Sequence, residues 1–485
     1  MYHPTKEEFI KLSKKGNLIP VYREISADVE TPVSAFKKIE GEYSYLLESV
    51  EGGEKLGRYS FLGSDPALII TSKGNSVEVV SKGRKEKLEG DPISELKRIL
   101  SRYRPVRIKG LPRFHGGLVG YLGYDIVRHL EKLPDRNPDD LKLPDMQFLL
   151  MDTVLAFDHV KRKISIISNV LVEGDPAKAY AYAIKKIDAF ALKLAKPVKY
   201  PSIELGNKKK LKVRSNFTKA QFMAIVQKAK TKVKAGDIIQ VVLSQRFSAK
   251  VKGDAFNIYR VLRTLNPSPY MYYLKFGDMK LIGSSPETMV RLEDNVANIR
   301  PIAGTRKRGR NDAEDALLEK ELLADEKEKA EHIMLVDLGR NDLGRVCEYE
   351  SVKINQLMAI EKYSHVMHIV SDITGRLKQG KDAFDLVAAS FPAGTLTGAP
   401  KVRAMEIIDE LENLRRGPYG GAVGYFDFYG NLDTCITIRT IVMKGSNAYI
   451  QAGAGIVADS VPGREYEETL NKARALLKAI ELSQG

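Results

Sequence analysis

The stretch DEKEKAEHIMLVDLGRNDLGRV, residues 325–346, carries Glu328 and Glu331 three positions apart in a segment predicted to be helical. A second stretch, QAGAGIVADSVPGREYEETLNKARA (451–475), carries Glu465 and Glu468 at the same spacing. Residues three apart lie on one helix face, so each helix can present two carboxylates to a shared cleft. Converging carboxylates repel one another unless a cation lies between them, and hard oxygen ligands suit Mg²⁺. The two pairs therefore predict a magnesium site.

Each pair also has a purely local interpretation. Asp325 followed by Glu328 fits a helix capping box. Glu465 follows Pro462 and Gly463 closely enough to be an acidic residue of a first helical turn, where it would favour the helix dipole. Spacing alone leaves both interpretations open.

Length and composition indicate an ordinary globular protein rather than a membrane or secreted protein. The chain has 485 residues, of which 43% are hydrophobic and 29% charged, which is ample for one large or two ordinary domains. No apolar run is long enough to span a membrane, and the opening MYHPTKEEFIKLSKKGN lacks a signal-peptide core. Cys347 and Cys435 form no CxxC or metal-binding spacing. We therefore predict a cytoplasmic protein without a membrane partner.

The formal net charge of +15 raises the question of nucleic-acid binding. The basic excess is dispersed, and its densest runs are GNKKKLKVR (206–214) and GTRKRGR (304–310). The sequence has no RNP-like aromatic motif and no zinc-finger spacing. We therefore expect no nucleic-acid partner, whereas a basic surface would steer a small dianionic substrate.

The order of predicted elements favours an α+β fold. Short β-rich runs and helical stretches mix over residues 1–195, and a proline-containing basic stretch, 195–216, is typical of a linker or crossover. Thr218 is placed to cap an amphipathic helix that ends near Gly236, and the buried strand DIIQVVLSQRF (237–247) follows. Beyond it, strands and helices alternate irregularly, which argues against a doubly wound parallel sheet.

Three further motifs lie between the acidic pairs: KYSHVMHIVSDITG (362–375), FPAGTLTGAPKVRAMEIIDELE (391–412) and GPYGGAVGYFDFYGNLDTCITIRT (417–440). In this order the set resembles the chorismate-binding enzymes, most closely component I of the anthranilate synthases. The resemblance is dense over residues 215–485 and thinner before them. It implies a large antiparallel-sheet α/β sandwich with a cleft between its layers. It further implies an N-terminal regulatory, tryptophan-binding domain over 1–205 and a chorismate-binding catalytic domain over 206–485.

The resemblance implies roles for the acidic residues and for a substrate-binding set. Mg²⁺ would bridge the ring carboxylate of chorismate to Glu331 and Glu465, with Glu328 and Glu468 in the surrounding shell. Arg439, interpreted as part of a buried strand CITIRT, would grip the enolpyruvyl carboxylate. The full substrate-binding set comprises Gln240, Gly304, Thr305, Tyr419, Arg439, Gly453, Gly455 and Lys472.

The implied catalytic residues are His368, Glu287 and Thr395. Ammonia would attack C2 of chorismate while the C4 hydroxyl leaves with a proton from Glu287. His368 would then remove the C2 proton, and expulsion of pyruvate would give anthranilate. Thr395 would hold a carboxylate or hydroxyl. A structural role is the alternative for His368, which has apolar neighbours, and His332 is expected only to orient its helix.

Two positions discriminate between relatives that use different nucleophiles. Ala303 occupies the position at which aminodeoxychorismate synthases usually carry a nucleophilic lysine. Gln240 stands where isochorismate and salicylate synthases have a lysine that activates water. Ammonia is therefore the expected nucleophile, with those relatives, or an inactive amino-acid-binding regulator, as alternatives. The sequence has no recognisable glutamine amidotransferase segment, so ammonia from glutamine would require a separate amidotransferase subunit, component II.

A regulatory site is implied by LLES (46–49) and NPSPYM (266–271), which resemble the tryptophan pocket of anthranilate synthases. Glu48 and Ser49 would bind the amino group of L-tryptophan as an inhibitor. Pro269, Tyr270 and Met271 would help to bury the indole. The local alternatives are an alternating strand for the first motif and a turn for the second.

Overall fold

A computed structural model describes residues 1–49, 57–198, 203, 211–363 and 366–484. The Thr218 side chain accepts from Gln221 N in a complete capping box, which explains why the helix after it begins where the sequence predicted. In chain order the helices are α1 (Lys6–Leu12), α2 (Pro32–Ile39), α3 (Pro92–Leu100), α4 (Pro176–Ala195), α5 (Lys219–Lys234), α6 (Ala255–Leu265), α7 (Asp312–Ala324), α8 (Glu326–Val346), α9 (Ala383–Ser390), α10 (Gly394–Thr397), α11 (Lys401–Leu411) and α12 (Pro462–Ser483).

The strands are also numbered in chain order. Those before residue 216 are β1 (Leu18–Ser26), β2 (Tyr43–Glu48), β3 (Tyr59–Ser64), β4 (Leu68–Lys73), β5 (Ser76–Ser81), β6 (Arg84–Glu89), β7 (Gly117–Leu122), β8 (Met146–Met151), β9 (Thr153–Asp158), β10 (Lys163–Leu171) and β11 (Val213–Ser215). Those after it are β12 (Gln240–Lys250), β13 (Tyr270–Phe276), β14 (Met279–Ser285), β15 (Thr288–Glu293), β16 (Val296–Ile299), β17 (Ile302–Lys307), β18 (Lys353–Lys362), β19 (Val366–Arg376), β20 (Gly398–Ala399), β21 (Ala422–Asp427), β22 (Leu432–Ile436), β23 (Thr440–Lys444) and β24 (Asn447–Ile456).

The strands form two 12-stranded antiparallel sheets. The first has the order β1-β10-β9-β3-β2-β13-β14-β23-β24-β12-β11, with β20 paired to β12. The second has the order β17-β19-β16-β15-β22-β21-β7-β8-β4-β5-β6, with β18 paired to β19. Every residue of β7, β8 and β21 is buried, because both faces of these strands are covered.

The two sheets pack face to face, and helices cover their outer faces. Tyr45 and Tyr272 of the first sheet meet Leu149 and Val423 of the second in one apolar cluster. A second cluster joins the first sheet to α1, α2, α4, α6 and α12, and a third joins the second sheet to α3, α8 and α9. The predicted large antiparallel α/β sandwich is confirmed.

The predicted division into residues 1–205 and 206–485 stays a prediction. Residues 204–210, which include the boundary, lie outside the described part of the chain. Both sheets contain strands from either side of it: β2 pairs with β13 in the first sheet, and β7 pairs with β21 in the second. Among the described residues, no helix combines the length and apolar character that crossing a membrane requires.

Candidate active site

Two connections between the sheets bring Glu287 and Arg439 together. Glu287 lies between β14 of the first sheet and β15 of the second, and Arg439 lies between β22 and β23. Ile436 N donates to Glu287 O at 3.0 Å, and Ser284 N donates to Arg439 O at 3.1 Å. The prediction that Arg439 belongs to a strand is wrong. The chain must turn there to change sheets, and Arg439 has a left-handed φ of 49°.

Glu287 is a buried carboxyl group with one hydroxyl partner from a different element. Its side chain is nearly inaccessible, and Thr395 Oγ1 of α10 donates to its Oε1 at 2.7 Å. Burial raises the pKa of Glu287 to about 8, against the lowering effects of the Thr395 hydrogen bond and of Lys472. The group therefore retains its proton at neutral pH and is able to donate it.

The acidic pairs lie on α8 and α12, as predicted. Asp325 caps α8 by accepting from Lys327 N and Glu328 N, but the described contacts of this cap include no return bond from the Glu328 side chain, which a capping box requires. Glu465 lies in the first turn of α12 and is buried. The local interpretations therefore explain why α8 begins after Asp325. They do not explain the positions of the glutamate side chains.

Electrostatic interactions connect the four glutamates. Burial raises the pKa of Glu331, and repulsion by Glu328 and Glu468 raises it further. Burial also raises the pKa of Glu465, to which Glu468 adds, while Lys472 opposes the increase at both residues. A cation bound between these glutamates would lower the pKa of both Glu331 and Glu465.

The donor set fits Mg²⁺ in its chemistry. Carboxylate oxygens are hard ligands, and Mg²⁺ retains several waters while binding few protein carboxylates directly. Within the described ranges, no group of three or more His, Cys, Asp or Glu side chains is arranged to enclose a metal alone. The assignment of Glu331 and Glu465 as the side chains that would hold the ion stays a prediction, and it would need water and substrate to complete the coordination.

His368 lies on β19 beside a bulge in β17. The register shifts between Ala303 and Thr305, and Gly304 adopts a φ of 64°. His368 Nδ1 is 3.0 Å from both Gly304 O and Thr305 Oγ1. Because the carbonyl oxygen only accepts whereas the hydroxyl can accept or donate, these contacts favour the tautomer with its hydrogen on Nδ1, in which Nε2 is the basic nitrogen. A Cβ at Gly304 would be 3.4 Å from Glu328 Oε2, which places this bulge against the first acidic pair.

His332 has the structural role that the sequence predicted. It is fully buried on α8, and its Nε2 lies 2.6 Å from Ser371 Oγ of β19. Burial lowers its pKa to about 4, so the ring is neutral. The contact fixes α8, and with it Glu331, against the second sheet.

The remaining residues predicted to bind substrate meet at the two glycines of β24. A Cβ at Gly453 would be 2.8 Å from the Tyr419 hydroxyl, and one at Gly455 would be 2.6 Å from Gln240 Nε2. Lys472 Nζ donates to Gly453 O at 2.9 Å and lies 2.7 Å from Glu468 Oε1. A Cβ at Gly453 would also be 2.9 Å from the backbone oxygen of Leu243, so the packing there favours glycine.

Arg439 completes this group. Its Nη1 donates to Lys472 O at 3.3 Å, and burial lowers its pKa, with Tyr419 and Glu468 opposing the decrease. The structure therefore brings the predicted metal, substrate and catalytic residues to one region, while their individual roles stay predictions.

The five residues predicted for tryptophan line a second cavity, which we call the β2–β13 pocket. It is lined by Glu48, Ser49, Pro269, Tyr270 and Met271, together with Leu47, Tyr59, Phe61, Arg113, Tyr272, Val423, Gly424, Tyr425, Asp433 and Cys435. Met271 pairs directly with Glu48 across β13 and β2. The Glu48 carboxylate already accepts from Arg263 Nε at 3.1 Å and from the Tyr259 hydroxyl.

Sequence reasoning missed one feature near the cleft, the buried ion pair Glu412–Arg416. The only sequence signal is an i, i+4 acid–base spacing at the end of α11, which is far more common on exposed helices.

The fold and motifs agree with comparisons to known proteins. The family described as chorismate binding enzyme matches residues 42–478. "Anthranilate synthase component 1" of Acetivibrio thermocellus is 53% identical over 99% of both chains, and that of Aquifex aeolicus is 50% identical over 99% of this chain and 98% of its own. The crystal structure of anthranilate synthase component I from Streptococcus pneumoniae TIGR4 is 36% identical with a TM-score of 0.80, covering 93% of this chain and 99% of that one. This chain therefore belongs to the chorismate-binding enzymes, in the group of anthranilate synthase component 1 proteins.

Proposed function

We propose that the chain converts chorismate and ammonia into anthranilate and pyruvate, as a step of tryptophan biosynthesis. The observation that carries this proposal is Glu287: a buried acid with a pKa of about 8, held by Thr395 in the region of Glu331 and Lys472. Loss of the C4 hydroxyl from chorismate requires a proton donor at neutral pH, and an exposed glutamic acid would already be ionised.

Each step uses residues that the structure brings to this region. Arg439, Tyr419 and Lys472 bind the substrate carboxylates. Glu331 and Glu465, with Glu328 and Glu468 nearby, would hold Mg²⁺, which would neutralise the ring carboxylate and withdraw electron density from the ring.

The chain's own groups then move two protons. Glu287 protonates the departing C4 hydroxyl as ammonia forms a bond to C2, and the new C2 ammonium loses a proton to solvent, which gives aminodeoxyisochorismate and water. His368 Nε2 removes the C2 proton, the C3–O bond to the enolpyruvyl group breaks as the ring becomes aromatic, and the enolate that leaves takes a proton from solvent at its methylene carbon to become pyruvate.

The choice of ammonia rests on two positions without a base. The Gln240 amide lies against Gly455 in β24, and Ala303 lies beside the Gly304 bulge. A neutral amide cannot activate water, and alanine cannot act as a nucleophile. Both observations oppose isochorismate, salicylate and aminodeoxychorismate synthesis in this cleft.

Partners and regulation follow from the same assignment. We propose that a glutamine amidotransferase subunit, component II, supplies the ammonia, and that L-tryptophan inhibits the enzyme from the β2–β13 pocket. A cytoplasmic location is proposed too, supported by two buried cysteines that are both free thiols. No nucleic acid or membrane is proposed as a partner.

The test is product identification with the full chain. Chorismate, Mg²⁺ and ammonium without glutamine should give fluorescent anthranilate and pyruvate in equal amounts, and removal of Mg²⁺ with a chelator should stop both. Isochorismate, salicylate or 4-amino-4-deoxychorismate as the main product would contradict the proposal.

A further inference from the structure

The ion pair Glu412–Arg416 is almost wholly buried beside the short helix that carries Thr395. Arg416 is 3% exposed and Glu412 is 5% exposed. Arg416 Nε donates to Glu412 Oε2 at 3.0 Å, and Nη2 donates to Oε1 at 2.7 Å, so the guanidinium and carboxylate form a two-bond fork.

The other hydrogen bonds of the guanidinium join two separate elements. Nη1 donates to Leu396 O in α10 at 2.7 Å, and Nη2 also donates to Val242 O in β12 at 2.8 Å. The guanidinium carbon lies 5.5 Å from the ring centre of Tyr419. One side chain therefore contacts α10, β12 and a substrate-binding tyrosine.

Glu412 fixes the other side of the pair. Its Oε1 accepts from both the backbone N and the side-chain Oγ of Ser244 in β12, each at 2.8 Å. Ser244 Oγ also accepts from Gln451 Nε2 of β24 at 2.8 Å. The pair is thus anchored to the two strands that present Gln240 and the cleft glycines.

Helix α10 depends on such outside contacts for its position. It has four residues, and Ala393 at its N-terminus provides no side-chain cap. Leu396, whose carbonyl Arg416 holds, directly follows Thr395, whose hydroxyl donates to Glu287. A guanidinium is suited to this task, because its donors project in a fixed planar geometry that lysine lacks.

We propose that Arg416, oriented by Glu412, is a positioning residue that holds α10 so that Thr395 stays bonded to Glu287. This inference rests on the proposed function, because it assigns Arg416 to the proton-donation step. In this role Arg416 does not itself touch the substrate.

A merely structural ion pair would also be costly to break, since an uncompensated charge would be left buried. Activity loss alone therefore cannot decide, and the test is a double-mutant cycle in kcat between Arg416→Lys and Thr395→Val. Arg416→Lys should lower kcat about 100-fold in the wild-type background, which is the cost of a small misplacement at the reacting centre. In the Thr395→Val background the same change should alter kcat little, because the bond it protects is already absent.

The pH profile provides a second readout. The groups that face Glu287 are Thr395 from α10, Lys472 from α12 and Glu331 from α8, and the Thr395 bond lowers the pKa of Glu287. Losing that bond raises the pKa further, so the basic limb of kcat should move to higher pH in Arg416→Lys and equally in Thr395→Val. The KM for chorismate should stay the same.

The matched control is Arg128→Lys. Arg128 Nη2 donates at 2.8 Å to Asp409, which lies on α11, the helix that ends directly before Glu412. None of the described hydrogen bonds of Arg128 reaches α10. It should lower thermal stability without changing the pH profile. Should Arg416→Lys fail to fold, Ser244→Ala, which removes one bond to Glu412 and keeps both charges, should show the same non-additivity with Thr395→Val at smaller amplitude.

Additive effects of Arg416→Lys (or Ser244→Ala) and Thr395→Val on kcat, or an unmoved basic limb, would overturn the positioning role. Wild-type enzyme and Glu287→Gln are assayed in the same series. A wild type that forms no anthranilate, or a Glu287→Gln enzyme with full activity, would overturn the proposed function itself and the inference with it.

Discussion

The catalytic cleft and the β2–β13 pocket use charge in opposite ways. In the cleft, burial and mutual repulsion raise the pKa of Glu331 and Glu465, so negative charge there is only partly compensated. In the pocket, Arg113 lies 3.3 Å from Asp433 and Arg263 lies 3.1 Å from Glu48, so the charges are already balanced. Under the proposed function, the first arrangement would receive a cation and an anionic substrate, whereas the second would receive a zwitterion with a large apolar side chain.

The two regions are nevertheless adjacent along the chain. The Tyr270 hydroxyl, in the pocket wall, is 3.0 Å from Thr288 Oγ1, and Thr288 directly follows Glu287. Cys435 lines the pocket, and the next residue, Ile436, donates its N–H to Glu287 O. A ligand that moved Tyr270 would thereby disturb the acid.

The largest effects are expected where the cleft holds its uncompensated charge. Glu331→Gln and Glu465→Gln should each abolish anthranilate formation, because each removes a direct charge on the ion. Glu328→Gln and Glu468→Gln should cost roughly 10–100-fold, mainly as a raised Mg²⁺ requirement, if their contacts are through water. Activity is measured across a Mg²⁺ titration, and equal, mild effects at all four positions would refute the magnesium assignment.

Glu287→Gln should lower kcat by about 10²–10⁴-fold, the usual contribution of a general acid. In the wild type, the acid form is needed and the folded pKa is about 8, so kcat should fall as pH rises through that value. The variant should lose this basic limb, because glutamine does not titrate. The measurement is kcat against pH at saturating chorismate. If kcat of the variant still falls at high pH, the group that titrates there is not Glu287.

A change confined to the β2–β13 pocket should spare catalysis. Ser49→Phe places bulk where the tryptophan amino group is proposed to bind, so the enzyme should stay active and lose inhibition. Ammonium-dependent activity is measured over a range of tryptophan concentrations. If the wild type ignores millimolar-range tryptophan, or the variant is inhibited equally, the pocket has been assigned wrongly.

The smallest effect is expected at the contact between the two regions. Thr288→Val removes the hydroxyl that Tyr270 contacts, so tryptophan should still bind by calorimetry but inhibit more weakly, by at least the ~5-fold typical of allosteric coupling. Thr434→Val is the control, since Thr434 Oγ1 of β22 donates to Val290 O of β15 at 2.9 Å, and none of the described hydrogen bonds of Thr434 reaches Tyr270. Equal inhibition of Thr288→Val and wild type would show that the contact between Tyr270 and Thr288 does not couple the pocket to the cleft.

The sequence predicted what short-range periodicity and motif order encode. The i, i+3 glutamates, the Thr218 cap and the antiparallel α/β sandwich all appear in the structure. Arg439 was misplaced because its apolar neighbours indicate burial, but burial does not distinguish a strand from a turn between two sheets. The bond from Thr395 to Glu287 joins residues 108 positions apart. Such long-range contacts leave no local pattern.

Glu412–Arg416 was missed for a related reason. The i, i+4 spacing resembles that of an exposed helical pair, and only the packing of α10 and β12 around it shows that both side chains are buried. Positioning contacts of this kind depend on elements distant in sequence, so they emerge only from the folded chain.

The most direct test of the two-step account is to identify what His368→Ala makes from chorismate, Mg²⁺ and ammonium. The acid at Glu287 remains, so addition should proceed, while removal of the C2 proton should stall. Chromatography and NMR of the reaction mixture should therefore show aminodeoxyisochorismate accumulating with little anthranilate or pyruvate. Anthranilate formed at the wild-type rate, with no intermediate, would contradict the role of His368 and the separation of the two steps.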